Sequence, residues 1–143
     1  MVYHSPSLAD RPIHPLHAIL LSFPLPLFSG ALAGDIAYWK THQIDWSNLA
    51  QWLNAGGLAV GALALLWALV AAFRARAPGR RRAWGHMLML ALALAVGLLN
   101  ALVHSRDAWG IMPEALLWSA LSTVLALVAS WLGFARPSVA EAY

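Results

Sequence analysis

A few polar side chains interrupt the apolar runs of this chain, and they alone have the chemistry to do more than face lipid. They are His14, His17, Asp35, His86, Asn100 and His104, with His42 and Asn54 placed near the outer surface. The stretch His14 to Phe28, HPLHAILLSFPLPLF, sets two imidazoles three residues apart and then two helix breakers, Pro24 and Pro26. A neutral imidazole ligates iron, copper or zinc through a ring nitrogen. Two imidazoles facing each other across a helical bundle supply the axial ligands of a six-coordinate haem iron. The chain has no cysteine, which removes thiolate metal sites, disulfides and thiol nucleophiles.

Helical spacing relates these residues to one another. His86 and His104 are 18 residues apart, five whole turns at 3.6 residues per turn, so they share one face and lie about 27 Å apart along the axis. Asn100 falls about 40° from that face. His14 and His17 are neighbours one turn apart, and Asp35 lies five turns beyond His17. Two helices thus repeat one pattern, with a histidine near one end and a polar group near the other. His17 with His86 is the candidate haem-ligating pair on the inner side. His104 with Asp35 or His42 is a looser pair on the outer side.

The elements that must position these groups are membrane helices. Of the 143 residues, 61% are apolar and 10% charged, too apolar for a soluble domain of this size to bury. Four stretches lack Asp, Glu, Lys and Arg: Pro12–Gly34, Trp46–Phe73, Ala83–Ser105 and Ala115–Ala135. Each reaches the roughly 20 residues that a helix needs to cross hydrocarbon. Backbone in lipid must satisfy its own hydrogen bonds, so each stretch reads as a helix. The spacing predicts helices over about 13–39, 47–73, 83–105 and 114–135 in one domain, 1–143. The short connections make successive helices antiparallel, giving an all-α, up-down four-transmembrane-helix bundle. Helices one and three then face each other diagonally, with His17 and His86 at similar depth.

Charge placement orients the bundle. With an even number of spans, one side holds Arg11, Arg74, Arg76, Arg80, Arg81, Arg82 and Arg136, and the other only Lys40 and Arg106. The positive-inside rule puts both termini in the cytoplasm. Trp39, Trp46, Trp52 and Trp109 mark the outer boundary and Trp84 and Trp131 the inner one; Trp67 and Trp118 fit these belts less well. Ala31-Leu32-Ala33 resembles a signal-peptidase site, yet Pro24 and Pro26 interrupt the run before it and apolar Ile36–Trp39 follows. The stretch is therefore kept as a span.

Each polar residue also has a plainer reading. Histidines near a membrane boundary can bond headgroups, water or backbone; this reading stands beside ligation for His17, His86 and His104, and it is the expectation for His4, His14 and His42. Asp35 is either a buried acid paired with His104, Arg106 or a proton, or a boundary residue beside Tyr38 and Trp39; the boundary position is the favoured expectation. Pro24 and Pro26 free the carbonyls of Leu20 and Ser22 and kink the first helix just beyond His17. Arg80–Arg82 is a topology signal and lipid anchor. Gly30-x3-Gly34 and Gly57-x3-Gly61 are assigned to close packing inside the bundle. Neither a phosphate-cradling glycine loop nor a Ser/His/Asp nucleophile arrangement is present, so the chain does not read as an enzyme on its own, and nothing in it points to nucleic acid.

The motifs resemble a bacterial family of predicted membrane proteins, family 2231 of the domain-of-unknown-function series. The resemblance rests on Pro15-Leu16-His17, Phe23-Pro24 and Asp35 in the first helix, and on Trp52 with the Gly56–Gly61 segment in the second. It continues through Arg82, His86 and the Asn100 to Arg106 exit to Ser130-Trp131-Leu132-Gly133. It singles out His17 over His14. The chain departs from the family in having Ala18 where proline usually follows the histidine. It also runs on to Phe73 and Arg74 where an acid often ends helix two, and it closes with a short Phe134–Tyr143 tail. Some members of the family are fused to Rieske-type or cytochrome c domains, which implies proximity to electron transfer. The expectation is a multi-pass protein of the bacterial inner membrane that binds b-type haem through His17 and His86 and serves electron transfer with a redox or membrane-complex partner. The alternative is a cofactor-free structural or assembly subunit.

Overall fold

The computed structural model describes residues 14–77, 79–106 and 110–135. His4, Arg11, Trp109 and Arg136 lie outside them. The described chain forms five helices, α1 (Pro15–Ser22), α2 (Pro24–Thr41), α3 (Ile44–Arg74), α4 (Arg80–His104) and α5 (Glu114–Phe134). α1 and α2 together make one span, and all four spans are long and apolar enough to cross a membrane. The fold is the expected all-α four-span bundle.

Local chemistry sets the helix limits. α1 starts at Pro15, whose fixed φ suits a first helical position, and the Nδ1 of His14 caps it by accepting from the Leu16 N–H at 3.3 Å. The expected kink falls at Phe23, which keeps helical dihedrals (φ −85°, ψ −41°) while Pro24 restarts the helix as α2. Because Pro24 and Pro26 have no N–H, the ladder loses its donors there and the span breaks into two helices. α2 runs two residues beyond its expected end and stops at His42, whose positive φ of 58° turns the chain while its N–H bonds Tyr38 O at 2.8 Å. Two residues later α3 begins. α4 starts at Arg80, three residues before the expected start, since arginine is a good helix former and its long stem keeps the charge in water.

Each span packs on the next in sequence, and α5 closes back on α2. The α1/α2 span and α4 are therefore diagonal, and α4 is the most enclosed, with half of its apolar window buried. The core has three levels. Near the connection from α3 to α4, hereafter the arginine end, Leu21, Ala64, Ala68, Ala72, Met87, Leu90 and Ala129 cluster. Phe28, Ala93, Leu94 and Ala126 fill the middle. Tyr38, Val103, Ile111 and Ala115 close the opposite end. Association of helices in lipid rests on close packing, and small residues permit it. Phe28 shows how: a Cβ on Gly57 would come within 2.7 Å of its ring, and one on Gly97 within 3.0 Å. The ring fits only because both neighbours are glycine, and it separates the polar groups at the two ends.

Candidate functional site

At the arginine end, α1 brings His17 and α4 brings His86 to the bundle axis. Their ring centroids are 5.8 Å apart with planes at 77°. Both residues are buried. The Nδ1 of His86 sits 3.0 Å from the carbonyl oxygen of Ala129 on α5. A carbonyl only accepts, so Nδ1 carries the ring hydrogen, and Nε2 of the neutral ring is a lone pair. That Nε2 is buried and bonds to no other residue, and the same is true of His17 Nδ1. A buried polar atom without a partner costs about 1–3 kcal/mol, so two of them on adjacent imidazoles call for an explanation.

Neighbouring residues fix both rings. Trp67 on α3 stacks on His17 with centroids 5.9 Å apart and planes at 12°, and it also contacts His14 at 4.8 Å. Trp67 did not fit the aromatic belts because it is a partner of these imidazoles. Gly133 on α5 abuts the other ring: a Cβ there would lie 2.9 Å from His86 Cε1 and 2.4 Å from Leu21 Cδ2. Arg82, one turn before His86, donates from Nε and Nη2 to Leu132 O at 3.3 and 3.1 Å and from Nη2 to Ala135 O. Within the Arg80–Arg82 run, then, Arg82 caps the carbonyls that end α5 and so holds Gly133 against His86.

The opposite end holds a second cluster, and it corrects the favoured boundary position of Asp35. Asp35 is fully buried, because α2 continues past it to Thr41 and turns its carboxylate into the bundle. Oδ1 meets His104 Nε2 at 2.9 Å, and neither side chain has any exposure. His104 Nδ1 lies 3.0 Å from Asn100 O and so carries a hydrogen. Nε2 and Oδ1 therefore share one proton, and the pair is neutral overall wherever that proton rests. The Ser119 hydroxyl donates to Asp35 Oδ2, and its oxygen accepts from Asn100 Nδ2 at 2.8 Å. The ring Asn100–His104–Asp35–Ser119 is closed and draws on three spans. His42 takes no part; its Nδ1 faces Tyr38 O at 3.5 Å. Arg106 pairs with Glu114 instead, at 2.8 Å and largely in the open. Asn54, expected near the outer surface, is also fully buried and donates from Nδ2 to Gly97 O at 3.0 Å.

The two clusters have different chemistry. Ser119 gives its hydrogen to a carboxylate rather than to an imidazole, so it is not an activated nucleophile. At the arginine end His17 Nδ1 and His86 Nε2 are left without partners, on rings whose centroids are 5.8 Å apart. Among the described residues no group of three or more His, Asp or Glu is arranged to hold a metal ion, whereas structural zinc takes four ligands. A haem brings its own equatorial nitrogens and asks the protein only for axial ligands. Two imidazole nitrogens each about 2 Å from a shared metal would put the ring centroids about 6 Å apart. His17 Nδ1 and His86 Nε2, both without partners, are the atoms that would hold such an iron.

This arrangement defines a class, a multi-pass all-α membrane protein with a buried imidazole pair at one end of a four-span bundle. The family described as "predicted membrane protein (DUF2231)" matches residues 13–136, and the chain belongs to that family. No curated protein and no solved structure matches it.

Proposed function

We propose that this protein is a small b-type haem subunit whose iron ligands are His17 and His86, working in electron transfer at a membrane with the arginine end in the cytoplasm. The observation that carries this reading is the pair of buried, unpartnered nitrogens on imidazoles 5.8 Å apart. A bound haem would supply one-electron transfer between two iron oxidation states. The chain's own residues do the rest. The Ala129 carbonyl fixes the His86 tautomer and leaves Nε2 free to ligate, as backbone oxygens commonly do for ligating histidines. Trp67 holds the plane of His17. Leu21, fully buried, keeps water from the site.

A cofactor-free structural subunit is the second reading, and one observation favours it. Leu21 and the His86 ring both press on Gly133, so the site is already closely packed. Visible spectroscopy of the detergent-solubilised protein, made in cells supplied with haem, separates the two. The haem reading expects a Soret band that shifts on reduction. A colourless protein with no bound iron supports the structural subunit.

A further inference from the structure

The arginine end concentrates positive charge on the bundle surface. Arg74 closes α3, Arg76 follows in the connection, and Arg80 and Arg81 open α4. Arg74, Arg80 and Arg81 are exposed. Arg82 differs from them, being engaged with the carbonyls that end α5. Among the described residues the acids Asp35, Asp45 and Glu114 all lie toward the opposite end of the bundle. The first turn of α4 holds no acid, and its arginines stand at the positive end of the helix dipole, which adds to their repulsion.

Apolar surface lies one turn inside this charge. The Phe73 and Trp84 rings meet edge to face, with centroids 5.2 Å apart and planes at 80°, and so join the ends of α3 and α4. Phe73 is 71% exposed. Arg80 and Arg81 precede Trp84 by four and three residues, so both project from its side of α4, one turn nearer the helix end. Arg74 directly follows Phe73. A free anion or an acidic protein arriving from the water would match the guanidinium level alone. An anionic phospholipid matches both levels, since its phosphate accepts charge-assisted bonds from arginine and its chains lie against aromatic rings at the membrane boundary. We propose that the face between spans two and three at the arginine end binds one anionic phospholipid. Arg74, Arg80 and Arg81 hold its phosphate, and Phe73 with Trp84 receives the upper part of an acyl chain. A general attraction to headgroups needs only net charge, whereas this aromatic wall defines a single position. The site is independent of what His17 and His86 bind.

The test uses the full chain purified in a neutral detergent. It is titrated with phosphatidylglycerol, with phosphatidylcholine and with inorganic phosphate while the unfolding midpoint is followed. The expected result is a saturable rise with phosphatidylglycerol alone, matched by one retained lipid per chain in native mass spectra. Arg80→Gln and Arg81→Gln are each expected to weaken the lipid about fivefold, and Arg106→Gln at the opposite end to leave it unchanged. An equal rise with phosphatidylcholine would overturn the proposal, as would the same rise with inorganic phosphate, which would assign the charge to a free anion. Undiminished binding of phosphatidylglycerol by the Arg80→Gln/Arg81→Gln double variant would overturn it too. Should that variant fail to fold, the comparison of the three ligands on the wild-type protein still decides.

Discussion

The two ends of the bundle treat histidine in opposite ways. His104 spends both ring nitrogens, one on Asn100 O and one on Asp35, and its partners are held by Ser119 and Asn100 in turn. His17 and His86 lie within ring contact of each other and leave two nitrogens unspent. A closed polar ring in a membrane locks helices together, because each member would be stranded in hydrocarbon without the others. An open pair is suited to binding. For the histidines the contrast is one of partnered against unpartnered nitrogens, at opposite ends of the same face of α4, with the Phe28 level between.

Breaking the closed ring carries the largest expected effect on stability. Asp35→Ala leaves His104 and Ser119 without their buried acceptor and is expected to cost about 3–5 kcal/mol, read as a loss of unfolding free energy in detergent. His17→Ala, by contrast, removes a side chain whose buried nitrogen bonds to nothing; its expected cost is below about 1 kcal/mol beyond the lost packing on Trp67. Equal losses for the two variants would erase the difference between the ends.

Gly133→Ala probes the packing of the open pair. The new methyl meets Leu21 and His86 at less than contact distance, and the expected cost is about 1–3 kcal/mol of overpacking, with any haem binding weakened alongside. Full tolerance in both readouts would show that His86 is not held by α5. Arg82→Ala frees the carbonyls of Leu132 and Ala135, a loss of about 1 kcal/mol, seen as faster amide exchange at the end of α5. The smallest effect belongs to Arg106→Ala. Its partner Glu114 is 43% exposed, so the expected change is under about 0.5 kcal/mol and shrinks further in salt.

The sequence carries some of this directly. Runs without charge define the spans, and whole-turn spacing together with antiparallel order put His17 opposite His86 across the diagonal. What could not be read depends on partners from other spans. Asp35 stands beside Tyr38 and Trp39, which mark a boundary in composition, and only the continuation of α2 and the approach of His104 bury it. Asn54 follows the same rule, since the sequence places it by depth near the outer surface while its partner, a backbone carbonyl on α4, comes from another span. Ser119 and Ser122 gave no signal at all, because a serine hydroxyl in a helix can bond its own backbone, as Ser122 does with Ser119 O. Trp67 looked misplaced for a lipid-facing anchor because its role is set by His14 and His17 on another helix. The break at Phe23 was legible as a kink, and its division of one span into two helices followed from two prolines acting together.

The most direct test of the central claim compares three variants in one experiment. His17→Ala, His86→Ala and His104→Ala, each made in haem-supplied cells and purified in detergent, are examined for the Soret band and for bound iron against the wild-type protein. The account predicts a band in the wild type and in His104→Ala, and its loss in both His17→Ala and His86→Ala. A wild-type protein without haem, or a band that survives both changes at the arginine end, would contradict it.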